Sequence, residues 1–246
     1  MSASLLLVAH GSRDPRFADT ARRVRHAVAR RLPGTDVRLS FLDLDEPLVA
    51  DELAEMRGRV VVVPLLLAPG YHSDIDLPEI VASTRAPGDV VITSVIGTTS
   101  LSAALADRLE QAGLADSDGL LVTAVGSTNP AAALVVRRRA VELSTRLHRP
   151  VDVVFATRLG TGETALRTAI RRLRGAGAGR IALSPYFLSA GLLTERVETA
   201  LDRLAPGALV AGPLGAHPDV IEAIADRYTT AVAGSPLGGL TADHSR

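Results

Sequence analysis

The sequence predicts an α/β protein made of two tandem units, each a small parallel sheet with helices on both faces. Three observations predict this. Strand-sized apolar runs alternate with amphipathic stretches. Three sequence blocks recur in the same order in the two halves. The length, 246 residues, suits two units of roughly 120, each large enough for its own core.

The elements follow in order. Leu5–Ala9 is a continuous apolar run, as a strand covered on both faces requires. Phe17, Ala21, Val24, Val28 and Leu32 then recur at helical spacing, and Pro33-Gly34 stops the helix. A second strand is predicted over about Val37–Leu42, with a helix from about Pro47 to Arg57. Val60–Leu66 forms the third strand, followed by a loop and a helix from about Pro78 to Ser83. Val90–Val95 is the fourth, and Ser102–Ala112 the helix after it.

The second half repeats the first. LLVAHGSRDP at Leu6–Pro15 matches LVTAVGSTNP at Leu121–Pro130. RVVVVPLLLAPG at Arg59–Gly70 matches RIALSPYFLSAG at Arg180–Gly191. VIGTTSLSAALADRL (Val95–Leu109) matches PLGAHPDVIEAIADRY (Pro213–Tyr228). The expected division is therefore 1–116, 117–234 and a flexible tail at 235–246. Each unit is expected to be flavodoxin-like, and the two to face one another across a cleft.

Composition removes several chemistries. The chain has 27 basic and 27 acidic residues and few aromatics, so no pervasive basic field awaits nucleic acid. It contains neither Cys nor Lys, which excludes thiolate metal sites, disulfides, Schiff bases and a phosphate-loop lysine. The longest apolar run, Val60–Pro69, is about half a membrane span, and the apolar start has no basic flank before it. A cytoplasmic protein without a membrane partner is expected.

In an open parallel sheet, ligands bind beyond the carboxyl ends of the strands, where strand order reverses. With order 2-1-3-4, strands one and three meet there. His10 follows strand one, and His72 lies in the loop after strand three. Either alone suits an ordinary hydrogen-bonded loop residue; the pair at adjacent strand ends points to chemistry. The repeat supplies a control. Val125 stands where unit one has His10, and Leu193 where it has His72, within an unchanged Gly-Ser and Pro-x-x-x-x-x-Gly framework. The scaffold does not demand imidazole. His26 falls on a solvated helix face, His148 in a turn and His244 in the tail, while His217 suits a helix cap better than a cleft residue.

AHGSRDP at His10, FLDLDEP at Phe41, PLLLAPGYHSDIDLP at His72 and LGAHPD at His217 together resemble the sirohydrochlorin chelatases of siroheme and cobalamin synthesis, relatives of ferrochelatase among the class II chelatases. The G-x-H-x-x-x-D-[IL]-P pattern is met by Gly70, His72, Asp76, Leu77 and Pro78, and the resemblance spans nearly the whole chain. It implies two chelatase-like domains and insertion of Fe²⁺ or Co²⁺, with Ni²⁺ a further choice, into sirohydrochlorin. His10 and His72 would bind the metal and accept the pyrrole protons. Where the family often carries Glu after its Phe-Leu, this chain has Asp43.

The residue chemistry agrees. Neutral imidazole suits these ions, and its unperturbed pKa near ~6.5 lets it take a proton at neutral pH. Two histidines leave the coordination shell incomplete, as an ion in transit needs. Arg13 and Arg158, at predicted strand ends, are candidate partners for the substrate's carboxylates; Ser12, Asp43 and His217 complete the substrate-binding candidates. No permanently bound cofactor is expected, and the chain is expected to be a monomer, with a dimer as the alternative. A phosphohistidine phosphatase would want Arg where Ala9 stands, and GTGETA at Gly160 lacks the strand position and acidic residue of a dinucleotide site. The remaining alternative is a protein that binds and delivers metal or tetrapyrrole without turnover.

Overall fold

The computed structural model describes residues 3–234. The expected tail at 235–246, with His244, lies outside the described residues.

Among the described residues, eight strands and eight α-helices alternate. Unit one runs β1 (Ser4–Ala9), α1 (Pro15–Arg31), β2 (Val37–Phe41), α2 (Val49–Glu55), β3 (Val60–Pro64), α3 (Leu77–Thr84), β4 (Val90–Ile92) and α4 (Ser102–Gln111). Unit two runs β5 (Asp118–Ala124), α5 (Pro130–Leu147), β6 (Val151–Phe155), α6 (Thr164–Gly175), β7 (Arg180–Pro185), α7 (Leu192–Leu204), β8 (Leu209–Val210) and α8 (Pro218–Ala233). The sheets have order β2-β1-β3-β4 and β6-β5-β7-β8, parallel throughout. The tandem flavodoxin-like expectation is thus met.

Three helices begin alike. Asp14, Asn129 and His217 each accept a bond from the backbone N–H two residues on, and each is followed by proline. The cap satisfies one free amide, and proline adds none.

The side-chain period of two in a strand sorts the core into layers. Leu5, Leu7 and Ala9 of β1 face a cluster that also holds Leu120 and Val122 of β5 with buried residues of α1, α4, α5 and α8. Leu6 and Val8 face outward, onto α2 and α3, whereas Leu121 meets α6 and α7. Four helices therefore lie between the two sheets in one continuous core, and two more cover each outer face.

The repeated Ala-Asp-Arg of α4 and α8 closes this interface reciprocally. Arg108 of α4 donates to the Leu214 carbonyl after β8, at 2.9 Å. Its counterpart Arg227 of α8 donates to the carbonyls of Ser94 and Val95 after β4, at 2.9 and 2.7 Å. This grip explains why β4 stops at Ile92 and not at Val95 as the hydrophobic run predicts. Thr93 still donates to Val62, but the chain then bends into a 3-10 turn at Ile96–Thr98. Among the described residues, no helix is long and apolar enough to cross a membrane.

Candidate metal and ligand site

His10 leaves the end of β1 on a turn that only glycine completes comfortably. Gly11 has φ +96°, and a Cβ there would collide with the Asp43 carbonyl oxygen. The Asp43 amide in turn donates to the His10 carbonyl at 3.0 Å, and Asp45 accepts from the Ser12 amide at 2.8 Å. The loop carrying His10 is therefore seated on the chain after β2.

His72 does not lie in an irregular loop as the sequence predicts. It opens a π-helical turn, His72–Asp76, that runs directly into α3, and the Leu77 amide donates to the His72 carbonyl. Positions four apart lie on one face of such a turn. There His72 Nδ1 meets Asp76 Oδ2 at 3.0 Å.

The two histidines come together. Their Nε2 atoms are 3.0 Å apart, with ring centroids at 4.4 Å and planes at 85°. His10 Nδ1 lies 3.1 Å from the Gly11 carbonyl oxygen. A carbonyl and a carboxylate only accept, so each Nδ1 is the donor and each neutral ring keeps its lone pair on Nε2. Two lone pairs so close repel unless a cation lies between them. Two imidazoles on one first-row ion, at roughly the 2.0–2.1 Å of zinc–imidazole bonds, would then subtend an angle of about 95°. That is a pair of adjacent coordination positions, with the others open.

Both imidazoles open into a cleft of about 790 Å³ between the units, within the usual range for a small-molecule site. Val125 and Leu193, the counterparts of the histidines, line the same cleft, beside Tyr71, Leu192 and Phe187. Among the described residues no Asp, Glu or Arg lines it. Tyr186 of unit two reaches across its floor and donates to the Leu67 carbonyl at 3.2 Å. At the unit boundary, Arg16 of α1 bridges Asp14 and Glu195 of α7. Behind this bridge, burial first and the Glu195 charge second push the Glu198 carboxyl above its ordinary range.

The other expected residues are spread around this cleft. Ser12 lines it, and its hydroxyl accepts from the Asp14 amide at 3.1 Å. Arg13 is exposed and makes no ion pair among the described residues; Arg158 donates to the Ser127 carbonyl and likewise has no carboxylate. The Asp43 carboxylate turns away to the Leu44 amide. His217 is buried as the α8 cap, with Nδ1 accepting from the Asp219 amide and Nε2 donating to Asp107 at 3.1 Å, and it does not line the cleft. Sequence reasoning gave no contact to Asp45 and no cleft role to Tyr71 or Tyr186. The second Asp of FLDLDEP was the available signal for the first; nothing in the sequence marks the tyrosines.

A family model described as CbiX matches residues 4–112 and, a second time, 119–231. The chain is 26% identical over 212 residues to a sirohydrochlorin cobaltochelatase of Priestia megaterium, covering 79% of this chain and 67% of that one. It is 24% identical over 252 residues to the sirohydrochlorin ferrochelatase of Bacillus subtilis, covering 96% and 94%. Its fold matches the sirohydrochlorin chelatase SirB from Bacillus subtilis subspecies spizizenii, solved in complex with cobalt. There the TM-score is 0.77 at 22% identity, with 95% of this chain and 96% of that chain covered.

Proposed function

The chain belongs to the CbiX family, and on that premise we propose that it is a metallochelatase inserting a divalent metal ion into sirohydrochlorin. The ion is a substrate. The observation that carries the reading is the His10–His72 pair, with Nε2 atoms 3.0 Å apart at the wall of an apolar cleft of about 790 Å³. An apolar slot without internal charge suits a flat macrocycle that leaves its carboxylates at the rim.

In this reading His10 and His72 take the ion from water in adjacent positions and leave the remaining positions for the ring nitrogens. One divalent ion enters, two pyrrole nitrogens lose their protons, and the imidazoles accept those protons as the ion passes to the ring. Ser12 retains a hydroxyl hydrogen to donate at the cleft wall. Arg13 and Arg158, which have no carboxylate partner among the described residues, are assigned to the substrate's acid groups. Asp43 accepts from the Leu44 amide with one oxygen and His217 is a buried helix cap outside the cleft, so we assign neither of them to the proton transfer. We further propose a monomer with no resident cofactor: the two units face each other in one chain, and the division at 116/117 falls between α4 and β5.

The test is an anaerobic absorbance time course of sirohydrochlorin with Co²⁺, Fe²⁺ and Ni²⁺ in turn, with and without protein. Acceleration for at least one ion, without nucleotide, is expected. Rates equal to the protein-free control for every ion would sink the reading and favour a carrier without turnover.

A further inference from the structure

We propose that Asp76 is a positioning residue that holds His72 with its proton on Nδ1, so that Nε2 is presented to the metal ion. The proposal rests on the chelatase reading for the ion, but its structural basis is independent of it. Asp76 ends the π-helical turn that runs straight into α3, has helical dihedrals and makes no capping bond with its side chain. Its carboxylate lies against His72 Nδ1, four residues earlier on the same face, at 3.0 Å. Imidazole has two tautomers, and a partner that only accepts selects the one with Nδ1–H. Without it, the proton can sit on Nε2, where it would block the lone pair facing His10.

In the repeat the two residues are absent together. Where unit one has His72 and Asp76, unit two has Leu193 and Val197 on α7. Val197 is fully buried beneath that helix, as Leu77 is beneath α3, whereas Asp76 is partly exposed and lies against His72. Unit two thus builds its strand–turn–helix framework without a His–carboxylate pair. His10 is oriented differently, by the Gly11 carbonyl, and Gly126 stands at the matching place in unit two. Of the two cleft histidines, only His72 has a side-chain carboxylate partner.

The experiment compares the full-length protein with Asp76→Asn and Asp76→Glu in two measurements. Co²⁺ titration should show affinity about 10- to 100-fold weaker in Asp76→Asn, the usual cost of removing such a partner. Asp76→Glu, which restores an acceptor-only group, should lie closer to the unmodified protein. Long-range proton–nitrogen spectra of metal-free protein should show the His72 Nδ1 fully protonated in the unmodified chain and partly deprotonated in Asp76→Asn. A purely structural role would not move that signal. An unchanged His72 spectrum and unchanged Co²⁺ affinity in folded Asp76→Asn would overturn the proposal. Failure of the unmodified protein to bind Co²⁺ or turn over would strike the chelatase reading instead, and the metal-free spectra would still decide the role of Asp76.

Discussion

His10 and His72 present their Nε2 atoms to one another across 3.0 Å, while each Nδ1 is already occupied by an oxygen acceptor. Sixty-one residues separate them in the chain, yet the parallel pairing of β1 with β3 sets their strands side by side. The pair is thus a product of topology, and unit two builds the same crossing with Val125 and Leu193 in its place.

His217→Ala should cost stability and leave turnover nearly intact. The substitution removes the α8 cap and leaves Asp107 without its donor, a loss of about 1–2 kcal/mol. Chemical denaturation and initial rates on the same preparation check the split. Unchanged stability with much reduced turnover would reverse the assignment.

Arg227→Ala should be the more damaging of the two clasp substitutions. Arg227 donates to four carbonyls and two threonine hydroxyls, and Arg108 to one carbonyl across the interface. The turn it holds contains Gly97, whose Cα packs so closely on the Leu67 carbonyl of the cleft floor that no Cβ fits. A lower melting temperature for Arg227→Ala than for Arg108→Ala is expected; the opposite order would contradict the clasp.

Asp118 makes stability depend on acid. Two bonds from the Arg180 guanidinium, followed by one from the Ala115 amide, hold its buried carboxyl below the usual carboxylate range. A folded-state value below the unfolded one, about 3.9, means that this contribution is present above pH ~4 and fades as pH falls through the folded value. Asp118→Asn should therefore cost about 1.5–3 kcal/mol near neutrality, and the gap to the unmodified protein should narrow below pH ~4. A gap that stays constant from pH 7 to pH 3 would contradict this linkage.

Arg13→Ala and Arg158→Ala should each raise KM for the tetrapyrrole with kcat little changed, as expected for contacts held equally in ground and transition states. The increase should shrink at high salt, because both guanidiniums lie in water. A fall in kcat with KM constant would place either residue in the chemistry.

Much of this molecule is legible in its sequence. Continuous apolar runs mark β1, β3 and β5 because both faces of these strands are covered, and the repeat carries the assignment from one unit to the other. The histidine pair is legible because strand order fixes which loop ends are neighbours. The π-helical turn at His72–Asp76 is not, since one shifted hydrogen bond leaves no periodicity to read. Nor is the choice of Asp45 over Asp43 as the partner of Ser12: two residues apart in a turn, they differ only in backbone direction. The Arg108 and Arg227 clasp lies hidden in a repeated Ala-Asp-Arg, because the pairing joins each copy to the other unit's loop.

The central claim is that metal insertion is carried by one histidine pair in the first unit. It is tested most directly by anaerobic insertion rates for His10→Ala, His72→Ala and His217→Ala measured side by side with the unmodified chain. The first two should each fall by about 10²-fold or more, the size of losing a positioned acid–base group, and His217→Ala should stay near the unmodified rate. Folded His10→Ala and His72→Ala proteins that insert metal at the unmodified rate would contradict the claim.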